Sequence, residues 1–186
     1  MKNRITRNPN RKNCRTLHAG RYLGLYEVDG WEFVSRQNAS AVAVLVAVND
    51  AGKLLLVEQF RPPLQAATIE LPAGLVGDRE DTDESLLQAA QRELLEETGY
   101  HSDELELLLT CPSSAGMSDE MISFVLARKL QRLGPGGGDA SEDITLHEIH
   151  LDDVAGWLQE RVNEGMPIDP KIYSALYWLE HRLAEA

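Results

Sequence analysis

The sequence predicts an α+β fold, with helices packed on a mixed sheet rather than interleaved through a doubly wound parallel one. Strand-like apolar segments outnumber helical ones, only three segments carry a 3.6-residue period, and those three are scattered among the strands with no internal repeat. The 186 residues, 43% hydrophobic and 26% charged, suit one domain with a small appendage and are cramped for two. At this length roughly 70% of the unfolded surface can be buried, so folding needs neither disulfide nor metal, and a metal would serve function.

Residues 1–20 are polar and turn-rich, and the first clear pattern begins near Gly20. Leu23, Leu25 and Tyr26, a turn at Asp29-Gly30, then Trp31, Phe33 and Val34 predict a hairpin. Ala41 to Val48 is almost wholly apolar and often β-branched; after Asn49-Asp50-Ala51-Gly52 the chain resumes with Leu54 to Phe60, predicting two buried strands of a second hairpin. Thr68 to Leu71 reads as a short strand stopped by Pro72-Ala73-Gly74. From Thr82 the period becomes helical: Leu86, Leu87, Ala90, Leu94 and Leu95 share one side, and Gly99 stands where a left-handed cap is expected, giving a helix over 82–98. Strands follow at Leu105–Leu109, Met121–Ala127 and Ile144–Ile149, the last after the glycine-rich run Gly134 to Gly138. Two helices close the chain, one through Val154, Trp157, Leu158 and Val162 to Gly165, the other from Pro170 through Ile172, Ala175, Leu176, Leu179 and Leu183.

A formal charge of −12 argues against a general nucleic-acid or anionic-membrane binder. Seven of the 18 basic side chains nevertheless fall within residues 1–21, which hold no acid, so a basic arm precedes an acidic body. That arm, residues 1–19, is expected to be flexible or to embrace a second copy. Cys14 and Cys111 lack any disulfide or zinc spacing, the N-terminus lacks a signal-peptide apolar core, and no run of about 18 apolar residues could span a bilayer. A cytoplasmic protein is the expectation.

The densest chemistry lies in Arg92-Glu93-Leu94-Leu95-Glu96-Glu97-Thr98-Gly99-Tyr100. Glu93, Glu96 and Glu97 stand at i, i+3 and i+4, so a helix gathers their carboxylates on one face, expected to lie opposite the Leu87/Ala90/Leu94 stripe. Each unpaired like-charge pair costs about 0.2–0.5 kcal/mol, and no lysine lies near in sequence. A hard divalent cation reverses that sign, and all-oxygen ligation favours Mg²⁺, Mn²⁺ or Ca²⁺ over zinc. By themselves three glutamates read first as an inert solvated face, since Glu-rich helix faces are common.

The wider context resembles the Nudix box of the Nudix hydrolases: Pro72-Ala73-Gly74 opens it and the RELLEETGY end matches in full. Glu84 stands eight residues before Arg92, as the box requires; measured from Gly74, Glu80 satisfies the spacing instead, which implies four extra residues in the 75–83 loop. The resemblance implies an α/β/α sandwich with a mixed sheet, carrying residues 20–40 as an N-terminal β-hairpin extension on a catalytic domain at 41–186. It also implies Mg²⁺, or Mn²⁺, held by Glu93, Glu96, Glu97 and the Ala73 carbonyl, with Arg92 orienting the glutamates.

Glu58-Gln59-Phe60-Arg61-Pro62-Pro63 and Ile69-Glu70-Leu71-Pro72-Ala73-Gly74 look like the ADP-ribose and nucleoside-diphosphate-sugar pyrophosphatase branch. Arg61 suits a diphosphate contact, because a planar guanidinium binds phosphate oxygens bidentately, but it equally suits a structural ion pair. Trp31-Glu32-Phe33-Val34-Ser35-Arg36 is similar to a segment of animal ADP-sugar pyrophosphatases, implying that Trp31 stacks on the base, Arg36 bonds beside it, and the N-terminal segment is exchanged across a homodimer. A hairpin-core role for Trp31 stays open. Cys111 to Glu120 resembles the branch's Ser-Pro-Gly-x-x-x-Glu loop, making Gly116 and Glu120 candidate substrate contacts, with Ala115 where proline is usual. Ser141-Glu142-Asp143-Ile144 resembles the family's entry into the following strand, so Glu142 is expected as metal ligand or water activator, with Asp139 and Glu120 the other candidates for general base. The Gly134–Gly138 run would let this loop close as a lid. The implied reaction is Mg²⁺-dependent hydrolysis of the diphosphate bond in ADP-ribose or a related nucleoside-diphosphate sugar, giving a nucleoside monophosphate and a sugar phosphate. A hydrolase for another such sugar, for instance GDP-mannose, and a non-catalytic ligand-sensing module are the alternatives.

Overall fold

In the computed structural model, which describes residues 13–77, 83–138 and 143–183, ten strands and three helices follow one another. They are β1 (Cys14–Ala19), β2 (Leu23–Val28), β3 (Trp31–Arg36), β4 (Ala41–Ala47), β5 (Lys53–Arg61), β6 (Ala66–Glu70), β7 (Ala73–Val76), α1 (Leu86–Thr98), β8 (Tyr100–Pro112), β9 (Met121–Arg132), β10 (Ile144–His150), α2 (Val154–Asn163) and α3 (Lys171–Leu183). No helix among the described residues is long and apolar enough to cross a membrane.

Alternation along the buried stretches of two strands explains the layering. On β4, Val44 and Val46 face one side with Leu158, Ile172, Ala175 and Leu179 of α2 and α3, while Ala43, Leu45 and Ala47 face the other with Ala89, Ala90 and Leu94 of α1. β9 divides in the same way, Phe124 and Leu126 against Val125 and Ala127. A strand that is apolar at every position must be covered on both faces, so the sheet becomes the middle layer of an α/β/α sandwich.

The four-stranded sheet runs β7-β4-β9-β8, and β4 pairs with β9 in parallel but with β7 in antiparallel register, which makes the sheet mixed. A second sheet runs β10-β5-β6 and a third β1-β2-β3, both antiparallel. The expected hairpin of β4 and β5 is thus only a turn: one bridge, Val48 to Leu54, joins them before each strand enters its own sheet. Glu148 of β10 accepts from Tyr100 Oη at 3.1 Å, Arg132 Nη1 at 3.0 Å and Asn49 Nδ2 at 3.1 Å, tying the two sheets together.

Two strands were not expected from the sequence. β1, within the basic segment anticipated as an arm, is almost wholly exposed and exists through its ladder to β2 rather than through burial, so it leaves no hydrophobic signature. β7 begins at Ala73, immediately after the proline expected to end the preceding strand. Pro72 separates two strands of different sheets, and its carbonyl still accepts from Leu45 N at 2.8 Å.

Helix α1 starts later than expected because Ser85 and Gln88 form a capping box: Ser85 Oγ accepts from Gln88 N at 3.3 Å and Gln88 Oε1 from Ser85 N at 2.9 Å. It ends at Gly99, φ +75°, as expected. The glycine-rich run docks on this end: Gly137 N and Gly138 N donate to the carbonyls of Glu97 at 2.9 Å and Glu96 at 3.0 Å, and Leu133 N donates to Gly99 at 2.8 Å. Groups that a helix C-terminus leaves unsatisfied are thereby paired. This anchoring uses the left-handed backbone of Gly136, Gly137 and Gly138, a conformation that favours glycine. A Cβ on Gly99 would stand 2.2 Å from the Gly134 carbonyl oxygen, and the backbone is left-handed. Gly99→Ala is therefore expected to cost at least about 2 kcal/mol, read as a lowered midpoint in urea denaturation.

Candidate active site

Glu93 and Glu97 continue the buried stripe of α1 instead of opposing it. Steps of four, three and four residues carry that stripe from Leu86 through Ala90 and Glu93 to Glu97, whereas Leu87 and Leu95, expected on the buried side, are 41% and 40% exposed. The apolar half of the stripe packs in the α1 core and the acidic half meets β7. Glu97 is 2% exposed and accepts from Ala73 N at 3.0 Å. Glu93 lies over Gly74 so closely that a Cβ there would stand 1.8 Å from the Glu93 carboxyl carbon. A side chain at residue 74 would displace the Glu93 carboxylate from this position.

Arg92 supplies the positive charge that balances these acids. Its Nε and Nη2 donate to Glu84 at 2.8 and 3.2 Å, its Nη1 to Glu93 at 2.6 Å and Glu96 at 3.2 Å, and its Nη2 also to the Leu75 carbonyl at 3.1 Å. Hydrogen bonding to Glu84, reinforced by the charge of Glu93, holds this guanidinium well above the usual arginine range against the opposing effect of burial. Glu84 further accepts from Gly77 N at 3.3 Å. Of the two candidates for the first glutamate of the motif, Glu84 is the one that the described residues include; Glu80 lies outside them, as do Glu142 and Asp139. Among the described residues no three His, Cys, Asp or Glu side chains converge as a ready-made metal cage.

A second guanidinium stands on the neighbouring sheet. Arg61 donates from Nε and Nη2 to Glu70 at 2.6 and 2.7 Å, a bidentate pair in which the Arg61 side chain is 41% exposed and that of Glu70 only 5%. The hydrogen bonds to Glu70, aided by the fields of Glu97 and Asp169, raise Arg61 above its ordinary range, with burial opposing. Arg61 thus holds the ion pair left open as its alternative role and lies within the field of Glu97. The sequence reading gave no role to Glu70 or Asp169. The signal for Glu70 was there, a lone acid between Ile69 and Leu71 in a strand expected to be buried.

The remaining candidates meet one another on loop 113–120. Trp31 Nε1 donates to the Gly116 carbonyl at 3.1 Å, Arg36 forms an ion pair with Glu120, and Val34 N donates to the Met117 carbonyl at 2.9 Å. These contacts join β3 to the loop within one chain. At 63% exposed, Trp31 is not a hairpin-core residue. Register brings the start of β9, which follows this loop, to the same end of the sheet as the end of β7, since β4 pairs Val42 with Ile122 on one side and Ala41 with Val76 on the other. Glu120, engaged by Arg36, is better placed to orient that arginine than to act as a base.

Comparison with known proteins agrees with this layout. The family model described as NUDIX domain matches residues 37–166, and the chain belongs to the Nudix family. It is 35% identical over 154 residues to the methanol dehydrogenase activator of Bacillus methanolicus, covering 78% of this chain and 80% of that one. It is 36% identical over 126 residues to the ADP-ribose pyrophosphatase of Bacillus subtilis, covering 67% and 65%. Among solved structures, an ADP compounds hydrolase superposes with a TM-score of 0.68 at 20% identity, covering 94% of this chain and 93% of that one, which supports the fold.

Arg92 neutralises three carboxylates at once with its side chain 17% exposed. Removing it by Arg92→Ala leaves buried charge uncompensated, and a loss of roughly 3–5 kcal/mol is expected in urea denaturation. An unchanged midpoint would show that water, not Arg92, balances these acids.

Proposed function

We propose that this protein hydrolyses the diphosphate bond of ADP-ribose or a related nucleoside-diphosphate sugar, with Mg²⁺ or Mn²⁺ as cofactor, releasing a nucleoside monophosphate and a sugar phosphate. The observation that carries the reading is the facing arrangement of two opposite chemistries: an acidic cluster on α1 with more carboxylates than cations, and the half-exposed guanidinium of Arg61 within the field of Glu97. A diphosphate bridged by a hard cation is the ligand that satisfies both. The likeness to the Bacillus subtilis ADP-ribose pyrophosphatase supports the same substrate class.

The donor set fits such a cation. Every side-chain ligand is an oxygen, Glu93 and Glu96 share one guanidinium, and the Gly74 cradle holds the Glu93 carboxylate against β7. Glu93, Glu96 and Glu97, with the Ala73 carbonyl and Glu142, are the proposed ligands. When bound, the cation would polarise phosphoryl oxygens and lower the pKa of water. Arg61 would bind the diphosphate and neutralise charge developing on phosphorus and on the leaving phosphate, where positioning and electrostatics dominate phosphoryl transfer. Arg92 would hold Glu93 and Glu96 in their rotamers without touching substrate. Trp31 would stack on the base and Arg36, oriented by Glu120, would bond at its edge, beside Gly116. Stacking alone does not discriminate between bases. Glu142 is the proposed water activator, with Asp139 next. The N-terminal sheet is the proposed contact of a homodimer.

The activator from Bacillus methanolicus favours a second reading, in which the Nudix domain modulates another protein. A panel of ADP-ribose, ADP-glucose, GDP-mannose, UDP-glucose and a nucleoside triphosphate, assayed with Mg²⁺ and a coupled phosphomonoesterase, separates the two. Preference for ADP-ribose is the expected result, and Glu97→Gln should lower kcat by at least about 100-fold. Because Glu97 is 2% exposed and bonded to Ala73 N, that variant should also shift the melting temperature, unlike a change on an open helix face. Silence on all substrates with both Mg²⁺ and Mn²⁺ would transfer the weight to the modulator.

A further inference from the structure

The Thr68 hydroxyl is buried and has no hydrogen-bond partner among the described residues, although Thr68 as a whole is only 4% exposed. Its position explains what it is for. On β6, Thr68 and Glu70 point to the same face, two residues apart, and antiparallel pairing sets Arg61 opposite Ala66, Gln59 opposite Thr68 and Val57 opposite Glu70. The bridge from Arg61 to Glu70 therefore crosses over the row formed by Thr68 and Gln59, the latter 9% exposed. Thr68 lies beneath the ion pair, next to its buried anion.

The two ends of that pair are unequal. Arg61 is the accessible, long and flexible partner, and Glu70 is fixed in the strand and nearly inaccessible. A substrate phosphate competes with Glu70 for the same guanidinium. Every N–H that turns to phosphate leaves a buried carboxylate oxygen short of a donor, which opposes binding. A hydroxyl that donates to nothing in the resting state and stands two residues along the same face can supply it.

Resting on the diphosphate-hydrolase reading above, we propose that Thr68 is a positioning residue whose hydroxyl donates to Glu70 when Arg61 shifts its hydrogen bonds to the substrate diphosphate. Thr68 touches neither substrate nor metal. It lowers the cost of releasing Arg61 and so shifts the guanidinium toward the phosphate.

The test compares Thr68→Val, which keeps the shape and removes the hydroxyl, with Thr68→Ser, which keeps the hydroxyl. Each is made in the natural chain and in a Glu70→Gln background. Readouts are kcat/KM on ADP-ribose, calorimetric affinity for the non-hydrolysable α,β-methylene ADP-ribose, and melting temperature. In the natural background Thr68→Val should lower both kcat/KM and affinity about tenfold, the effect of one hydrogen bond to a charged group. Its melting temperature should stay level or rise, because an unsatisfied buried hydroxyl has gone. Thr68→Ser should restore both activity and affinity. With Gln at position 70 no buried anion awaits a donor, so Thr68→Val should there be silent. Wild-type activity and affinity in Thr68→Val, failure of Thr68→Ser to restore them, or an undiminished loss in the Glu70→Gln background would overturn the proposal. A natural chain that neither hydrolyses nor binds these compounds would instead overturn the diphosphate reading, and the Thr68 role with it.

Discussion

One guanidinium holds the candidate site together. Arg92 binds Glu84 ahead of the helix, the Leu75 carbonyl on β7, and Glu93 and Glu96 on its own helix, so loop, strand and helix share one cation. Those contacts run in several directions from a planar fork, which a lysine's point charge does not reproduce. Partly shielded from water, such a hub is strong only while its anions remain in place, and each anion is tolerable only while the hub remains. The acids and the arginine are therefore one unit energetically, although they are spread over residues 84–96.

Both ends of α1 are fastened, and this keeps the unit in register. The Ser85–Gln88 box closes the N-terminus, and the backbone amides of Gly137 and Gly138 close the C-terminus on the carbonyls of Glu96 and Glu97. The residues whose side chains are proposed to hold a cation are thus the residues whose backbone oxygens anchor the strap leading toward β10. Glycines make the close approaches here: Gly74 beneath Glu93, Gly99 against Gly134, and Gly136 against the backbone of Glu97 and Thr98.

Much of this was legible in the sequence because it follows from local rules. The apolar runs at 41–48 and 54–57 announced buried strands, Gly99 announced the helix end, and the i, i+3, i+4 spacing brought the glutamates together. What escaped depends on tertiary pairing. β1 has no apolar stripe and is held by main-chain bonds, and β7 hides behind a proline that looked like a terminator. Leu87 and Leu95 satisfied an apolar helical period yet are exposed, because the face that β7 selects is completed by Glu93 and Glu97. A pattern that counts only apolar residues assigns such acids to the opposite side. The pairing of Arg61 with Glu70 was missed for a related reason: nine positions apart in sequence, they meet only once β5 and β6 are in register.

The two arginines show how environment divides labour between identical side chains. Arg92, 17% exposed and bonded to three carboxylates and a carbonyl, has no hydrogen-bonding edge to lend, and every bond it makes would have to be broken in a medium that cannot replace it. Arg61, 41% exposed, is held by a single carboxylate and has water on one side. Moving it breaks only the hydrogen bonds to Glu70, while the fields of Glu97 and Asp169 change with its position. A site that must receive a polyanion needs both kinds of cation: one committed, so that three glutamates survive close together, and one recruitable, so that the incoming charge finds a partner. The neighbourhood of Glu70, more than Arg61 itself, sets how readily that second arginine is recruited, because the free energy of transfer is decided by what satisfies the anion left behind.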